Sequence, residues 1–203
     1  DQGNYAWPDR EMLPQWSADS RWVAYQKRLL GSQFHAVFVY SVASKATRQL
    51  TDGLSDVIDP TWDKSGKYLL FLASTDFALP TGWLDMSSYN QPVNRGVYLA
   101  VLSKADQSPL RPETGDEPAA DTSKKARPDS GAKKAPADSA TVHIDFDGLM
   151  QRIVALDVPS RDYAGLAAGR AGQFFYVEHV PNHADILHRY DLKERQAIDL
   201  VNA

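Results

Sequence analysis

Five histidines, no cysteine and 26 acidic residues set the chemical repertoire of this chain. The densest grouping lies between Glu178 and His188. There His179, His183 and His188, with Glu178 and Asp185, offer the imidazole and carboxylate donors that bind zinc. Their spacing runs through a strand–loop–strand turn at Pro181 and matches no zinc signature, so they read as polar residues of an exposed hairpin, with no metal. Asp145-Phe146-Asp147-Gly148 has the opening of a calcium loop but lacks the third acidic position and the closing Glu. It reads instead as a turn whose Asp side chains bond backbone amides. Serine is abundant, yet no Gly-x-Ser-x-Gly occurs, and His35 and His143 lie beside apparent strands with no acid–serine arrangement that makes a triad. A Gly-rich phosphate loop is absent too. The expectation is a segment without catalytic residues, metal or cofactor.

Composition narrows the partners. A formal net charge of -4 and a pI near 5.7 argue against a nucleic-acid binder. The basic tract Lys124-Lys125-Ala126-Arg127 with Lys133-Lys134 is diluted by Asp129 and Asp138 and reads as a solvated linker. Without cysteine there are no disulfides, thiolate metal sites or Cys nucleophile, and the compartment stays open. The longest apolar runs, Tyr68–Ala73 and Tyr98–Leu102, are far too short to span a bilayer. Asp1-Gln2-Gly3-Asn4 has neither initiator Met nor signal-peptide character, and reads as a mature terminus or an excised segment.

The elements that must position any site come from a repeat. Pro14–Tyr25 aligns without a gap on Pro60–Phe71 at an offset of 46. Pro, Trp, a polar turn, a basic residue, an aromatic and aliphatics recur in place. In the second copy Val57–Trp62 reads as a first strand, and Asp63-Lys64-Ser65-Gly66 as a turn in which Gly66 takes a positive φ. Lys67–Ser74 then reads as a strand buried on both faces. In the first copy Trp22–Tyr25 is the second strand, Ala36–Val42 the third and Thr47–Thr51 the fourth. A weaker third copy places Gly172–Val177 on Gly66–Phe71, with Ile186–Asp191 and Arg195–Leu200 following as strands. Four short antiparallel strands per unit make a propeller blade. The expected fold is therefore all-β: a β-propeller fragment of about three four-stranded antiparallel blades, with WD-like repeats. Trp16, Trp62, Trp22, Tyr68 and Gly66 are its structural repeat residues, and the two repeat tryptophans are expected to pack the blades.

Residues 1–105 hold the first two blades, with an inserted loop at 77–95. Residues 106–140 form an insertion rich in Pro, Ala, Ser, Lys and Asp, expected to be disordered because it has too little apolar area to offset the entropy of ordering. Residues 141–203 complete the second blade through Gln151–Leu156 and build the third. Trp83, Met86 and Tyr89 fall in the non-repeated loop and are the candidate contacts for a peptide or a neighbouring domain. Three blades do not close a ring, so further blades are expected from a longer chain, or from copies of this one.

Trp16–Tyr25 and Arg48-Gln49-Leu50-Thr51-Asp52-Gly53 resemble the repeats of Tol-Pal-type and tricorn-type propellers. His143–Val154, with its Ile-Asp-Phe-Asp-Gly stretch, and Leu156–Leu166 resemble the second, seven-bladed propeller of tricorn-type serine peptidases. That resemblance implies a parent that degrades peptides with serine chemistry in C-terminal domains, behind a PDZ domain, and a propeller that admits or guides peptides or unfolded polypeptide. None of the catalytic motif positions maps onto this chain. The resemblance implies a cytoplasmic location and a parent able to form homo-oligomers. A Tol-Pal-type interaction module, which would be periplasmic, is the alternative. Neither implies nucleic acid or membrane as a partner.

Overall fold

The structure, a computed structural model, describes residues 12–76, 91–112 and 140–202. The regular elements among them are twelve strands and one 3-10 turn. Strands β1 (Gln15–Trp16), β2 (Trp22–Arg28), β3 (His35–Ser41) and β4 (Ala46–Gln49) form the first sheet. The second holds β5 (Asp56–Trp62), β6 (Tyr68–Ser74), β7 (Gly96–Val101) and β8 (Ile153–Ala155), and the third β9 (Tyr163–Ala168), β10 (Gln173–Glu178), β11 (Ile186–Asp191) and β12 (Gln196–Asn202). Each sheet is an antiparallel meander in sequence order, so the three blades expected from the repeat are present. The 3-10 turn Leu149–Arg152 leads into β8, the fourth strand of the second blade.

The middle blade shows why its strands are apolar throughout. Leu69, Phe71 and Ala73 of β6 join Tyr98 and Ala100 of β7 in a core shared with Ala24, Val37, Val39 and Leu50 of the first blade. The intervening Leu70 and Leu72, with Val97, Leu99 and Val101, belong to a second core with Tyr163, Phe174, Tyr176 and Tyr190 of the third blade. Period-2 side-chain alternation thus sends successive residues into opposite interfaces. Aliphatic side chains of one blade meet aromatics of the next. Phe174 stacks on Tyr190 with ring centroids 5.1 Å apart.

The repeat also fixes backbone shape. Leu13, Asp59 and Gly165 occupy one repeat position, and all have positive φ, of 41°, 54° and 67°. In the second and third blades this is a bulge that shifts the register of the inner strand. The amides it displaces find partners across blades: Asp59 N–H donates to Gln26 Oε1 at 2.7 Å, and Gly165 N–H to Asp59 Oδ2 at 2.8 Å. At the following turn Ser20, Gly66 and Gly172 again share one left-handed position.

The opening of the expected 106–140 insertion is packed. Leu110 lies against the second core, Gln107 O accepts the Tyr68 hydroxyl at 3.1 Å, and Arg111 O accepts Arg195 at 2.6 Å. Residues 113–139 lie outside the described residues, as do 77–90.

Candidate functional site

The inner strands β1, β5 and β9 converge on an axial cleft of about 530 Å³. Its walls are largely apolar: Trp16, Ala18, Trp62, Ala140, Leu166 and Ala168, with Asp63 and Lys64 at one side. Two hydrogen bonds tie the strands together there. Thr61 Oγ1 donates to Leu166 O at 3.0 Å, and Trp62 Nε1 donates to Gln15 O at 2.9 Å. Asp63, 1 % exposed, turns its carboxylate onto Gly172 N–H at 2.7 Å and onto the amide and hydroxyl of Ser65. In the preceding repeat Asp19 does the same, accepting Val142 N–H at 2.8 Å. Burial opposes its charge, but bonds from the Ser17 hydroxyl and the Val142 and Arg21 amides hold its carboxyl below the ordinary value.

The two repeat tryptophans diverge. Trp62 is buried and packs the first two blades together, as its place in the repeat predicts. Trp16 is 61 % exposed. The reason is positional: Trp62 docks on the preceding blade, and no described residue forms a blade before Trp16. Trp22 and Tyr68 are half-buried at the edges of the two cores. Trp83, Met86 and Tyr89 lie outside the described residues.

The histidines separate as well. His179 Nδ1 pairs with Asp185 at 2.9 Å on an exposed hairpin, and this partner holds its imidazole above the usual value. His188 is not on that surface. It is buried in β11, stacked on Tyr176 at 4.8 Å, with Nε2 3.0 Å from Glu178 and Nδ1 2.8 Å from Asp199. Carboxylates only accept, so both contacts are hydrogen bonds when the ring carries both protons. Arg161 closes the chain on Glu178 at 2.7 Å. Sequence spacing missed this relay because Asp199 arrives from a different strand. Among the described residues no group of three His, Cys, Asp or Glu side chains forms a metal-holding cluster.

A second buried acid sits at the start of β5. Asp56 accepts the His35 main-chain amide and Nδ1, each at 2.8 Å, and faces Arg95 at 3.4 Å. Burial alone would raise its carboxyl, but the His35 bonds and Arg95 outweigh burial and hold it low. A carboxyl depressed in the folded state stabilises above the ordinary carboxylate range, and that stability is lost as pH falls through and below it. The denaturant midpoint should therefore drop between about pH 5 and about pH 3, and Asp56→Asn should flatten that drop.

Asp145 makes the turn read from the sequence. Its Oδ2 accepts Lys104 N–H at 2.8 Å and the Ser103 hydroxyl at 3.3 Å, while His143 Nε2 lies 3.2 Å from Oδ1. Serine, acid and histidine meet here, but the carboxylate stands between the other two, so the imidazole is not placed to take the serine proton. Arg152 clamps the same base, donating to the carbonyls of Val101, Leu102, Asp145 and Asp147. Arg152→Ala should cost about 2 kcal/mol in thermal or urea denaturation. Arg152→Lys should recover little, because an ammonium lacks the planar fork.

Three blades, meander order and inner strands around an axial cleft settle the architecture. The three sheets form a segment of a β-propeller. No family model matches the chain, and no curated protein does. Solved structures do. A tricorn protease structure superposes with a TM-score of 0.61 and 18% identity, covering 92% of this chain and 18% of that one. TolB from Acinetobacter baumannii gives 0.50 and 14%, covering 93% of this chain and 31% of that one. A putative TolB from Agrobacterium tumefaciens gives 0.51 and 10%, covering 95% and 50%. This chain therefore spans half or less of each of these structures, and the likeness is one of fold. No helix among the described residues is long and apolar enough to cross a membrane.

Proposed function

We propose that this chain is a non-catalytic propeller segment of a tricorn-like serine peptidase, a scaffold that guides peptides or unfolded polypeptide toward catalytic and PDZ domains of the same parent. The observation that supports this reading is the axial cleft, apolar and bordered by strand edges, the chemistry an extended peptide needs. The Ser103–Asp145–His143 order makes no nucleophile–base pair at the place where serine, acid and histidine meet. The reading carries with it a cytoplasmic parent able to assemble with its own copies, and no cofactor, nucleic acid or membrane. A TolB-like interaction module, periplasmic and without a peptidase, is the rival.

Two measurements separate them. The purified chain should bind short unstructured peptides and leave them uncut; cleavage by the chain itself, or binding to folded proteins alone, would sink the reading. In the parent peptidase, Trp83→Ala with Tyr89→Ala should slow cleavage of long peptides more than short ones. Equal slowing of both would count against a gate.

A further inference from the structure

We infer that the face carrying the turns after the first and third strands of each blade docks an acidic, extended polypeptide, seated between the second and third blades. This goes beyond the guiding role, because it assigns a partner chemistry to a surface other than the axial cleft. Antiparallel order puts these turns at one end of every sheet. Gly172 N–H donating to Asp63 and Val142 N–H donating to Asp19 hold them side by side. The turns use Asp at set places, and those short side chains bend back: Asp19, Asp63, Asp145 and Asp191 each accept a main-chain amide. The cations have longer stems and project. Arg21 and Lys45 of the first blade, Lys64, Lys67 and Lys104 of the second, and Arg170 and Lys193 of the third are exposed there. Among the described residues, Asp147 and Glu194 are the exposed carboxylates of this face. The opposite face has the reverse sign, with Asp52, Asp76 and Asp185 exposed beside Arg161. A formal net charge of -4 therefore hides a basic end.

The middle blade shows that this end is open within the ring, since it has a neighbour on each side and still exposes Lys64, Lys67 and Lys104. Lys67 pairs with Asp106 at 3.2 Å and Lys104 with Asp147 at 2.6 Å. Lys64, Arg170 and Lys193 make no ion pair among the described residues. Where the turns of the second and third blades meet lies a cavity of about 430 Å³. Tyr68, Pro109 and Leu192 supply its apolar surface, and Lys67, Lys193 and Arg195 its charge. No carboxylate among the described residues lines it. The Tyr68 hydroxyl is bonded to Gln107 O, so its ring offers apolar surface. Cations beside apolar walls match a chain that alternates carboxylate and apolar side chains. A nucleic acid matches less well. It carries a phosphate at every step, and Asp106, Asp147 and Glu194 stand among the cations of this face, whereas a peptide spaces its carboxylates.

The test uses the 203-residue chain and two short, blocked, labelled peptides, one alternating glutamate and leucine, the other glutamine and leucine, followed by fluorescence anisotropy. At about 0.05 M salt the glutamate peptide should bind roughly tenfold tighter, and at about 0.5 M most of that preference should vanish. Lys193→Glu should weaken its binding roughly tenfold and Lys193→Gln about threefold. Lys193 is exposed, so both variants should keep the parent Tm, and lost binding is not lost folding. Lys45→Glu, on the first blade, should cost about twofold or less, and a loss matching that of Lys193→Glu would overturn the cavity as the seat. Equal affinity for the two peptides would overturn the inference and leave the proposed function standing, since guiding needs only that an unstructured peptide binds. Binding of neither peptide would overturn both. A single-stranded oligonucleotide of equal charge should bind more weakly, and equal or tighter binding would overturn the inference in favour of nucleic acid. Binding seen only when Glu113→Gln, Asp116→Asn and Glu117→Gln are combined would overturn it in favour of the chain's own carboxylates.

Discussion

Replacing Phe174 by alanine should lower stability by about 4 kcal/mol in urea or thermal denaturation. Phe174 is fully buried between the second and third blades, stacked on Tyr190 and beside Tyr176. Its removal leaves a cavity walled by Leu70, Leu72 and Leu99, which belong to the facing sheet and cannot collapse without moving a blade. The neighbouring Tyr190→Phe provides the contrast. The Tyr190 hydroxyl is buried without a partner among the described residues. Burial, with Asp157 nearby, pushes the phenol up, so the cost of leaving water falls on a neutral hydroxyl. Deleting it should raise stability by about 1 kcal/mol. A loss of the same size for both variants would mean that the interface is not packed as described.

Asp63→Ala should cost about 3 kcal/mol, more than its small volume suggests. The carboxylate serves the turn amide of Ser65 and the Gly172 amide of the next blade at once. Alanine leaves the Gly172 amide unpaired in the joint between blades. Asp63→Asn keeps an acceptor oxygen and should lose less than half as much. If both cost the same, the charge matters and the shape does not; if neither costs anything, the joint is held by apolar contact alone.

These two sites differ in how far the chain's local sequence reveals them. The run Tyr68–Ala73 announces a strand buried on both faces, and the alternation of its side chains between two cores follows from strand geometry. Strand–turn–strand units and the turn at Gly66 are likewise local, set by residues a few positions apart. The Asp145 turn is legible for the same reason. The inter-blade role of Asp63 is not, because Gly172, its partner, lies in the following blade. Nor is the full His188 arrangement, because Asp199 comes from β12 and Arg161 from the segment before β9. The spacing around Pro181 groups His188 with His179 and His183 on one hairpin, whereas the structure buries His188 and leaves His179 on the exposed turn.

Strand order, blade number and the two-sided burial of the middle sheet were set by sequence alone, because backbone pairing and side-chain alternation depend on near neighbours. Which repeat tryptophan is buried, which acid bridges two blades and where an open cleft lies were decided only by tertiary structure. Trp16 and Trp62 carry nearly the same local sequence and meet different surroundings, since burial is conferred by the sheet next door.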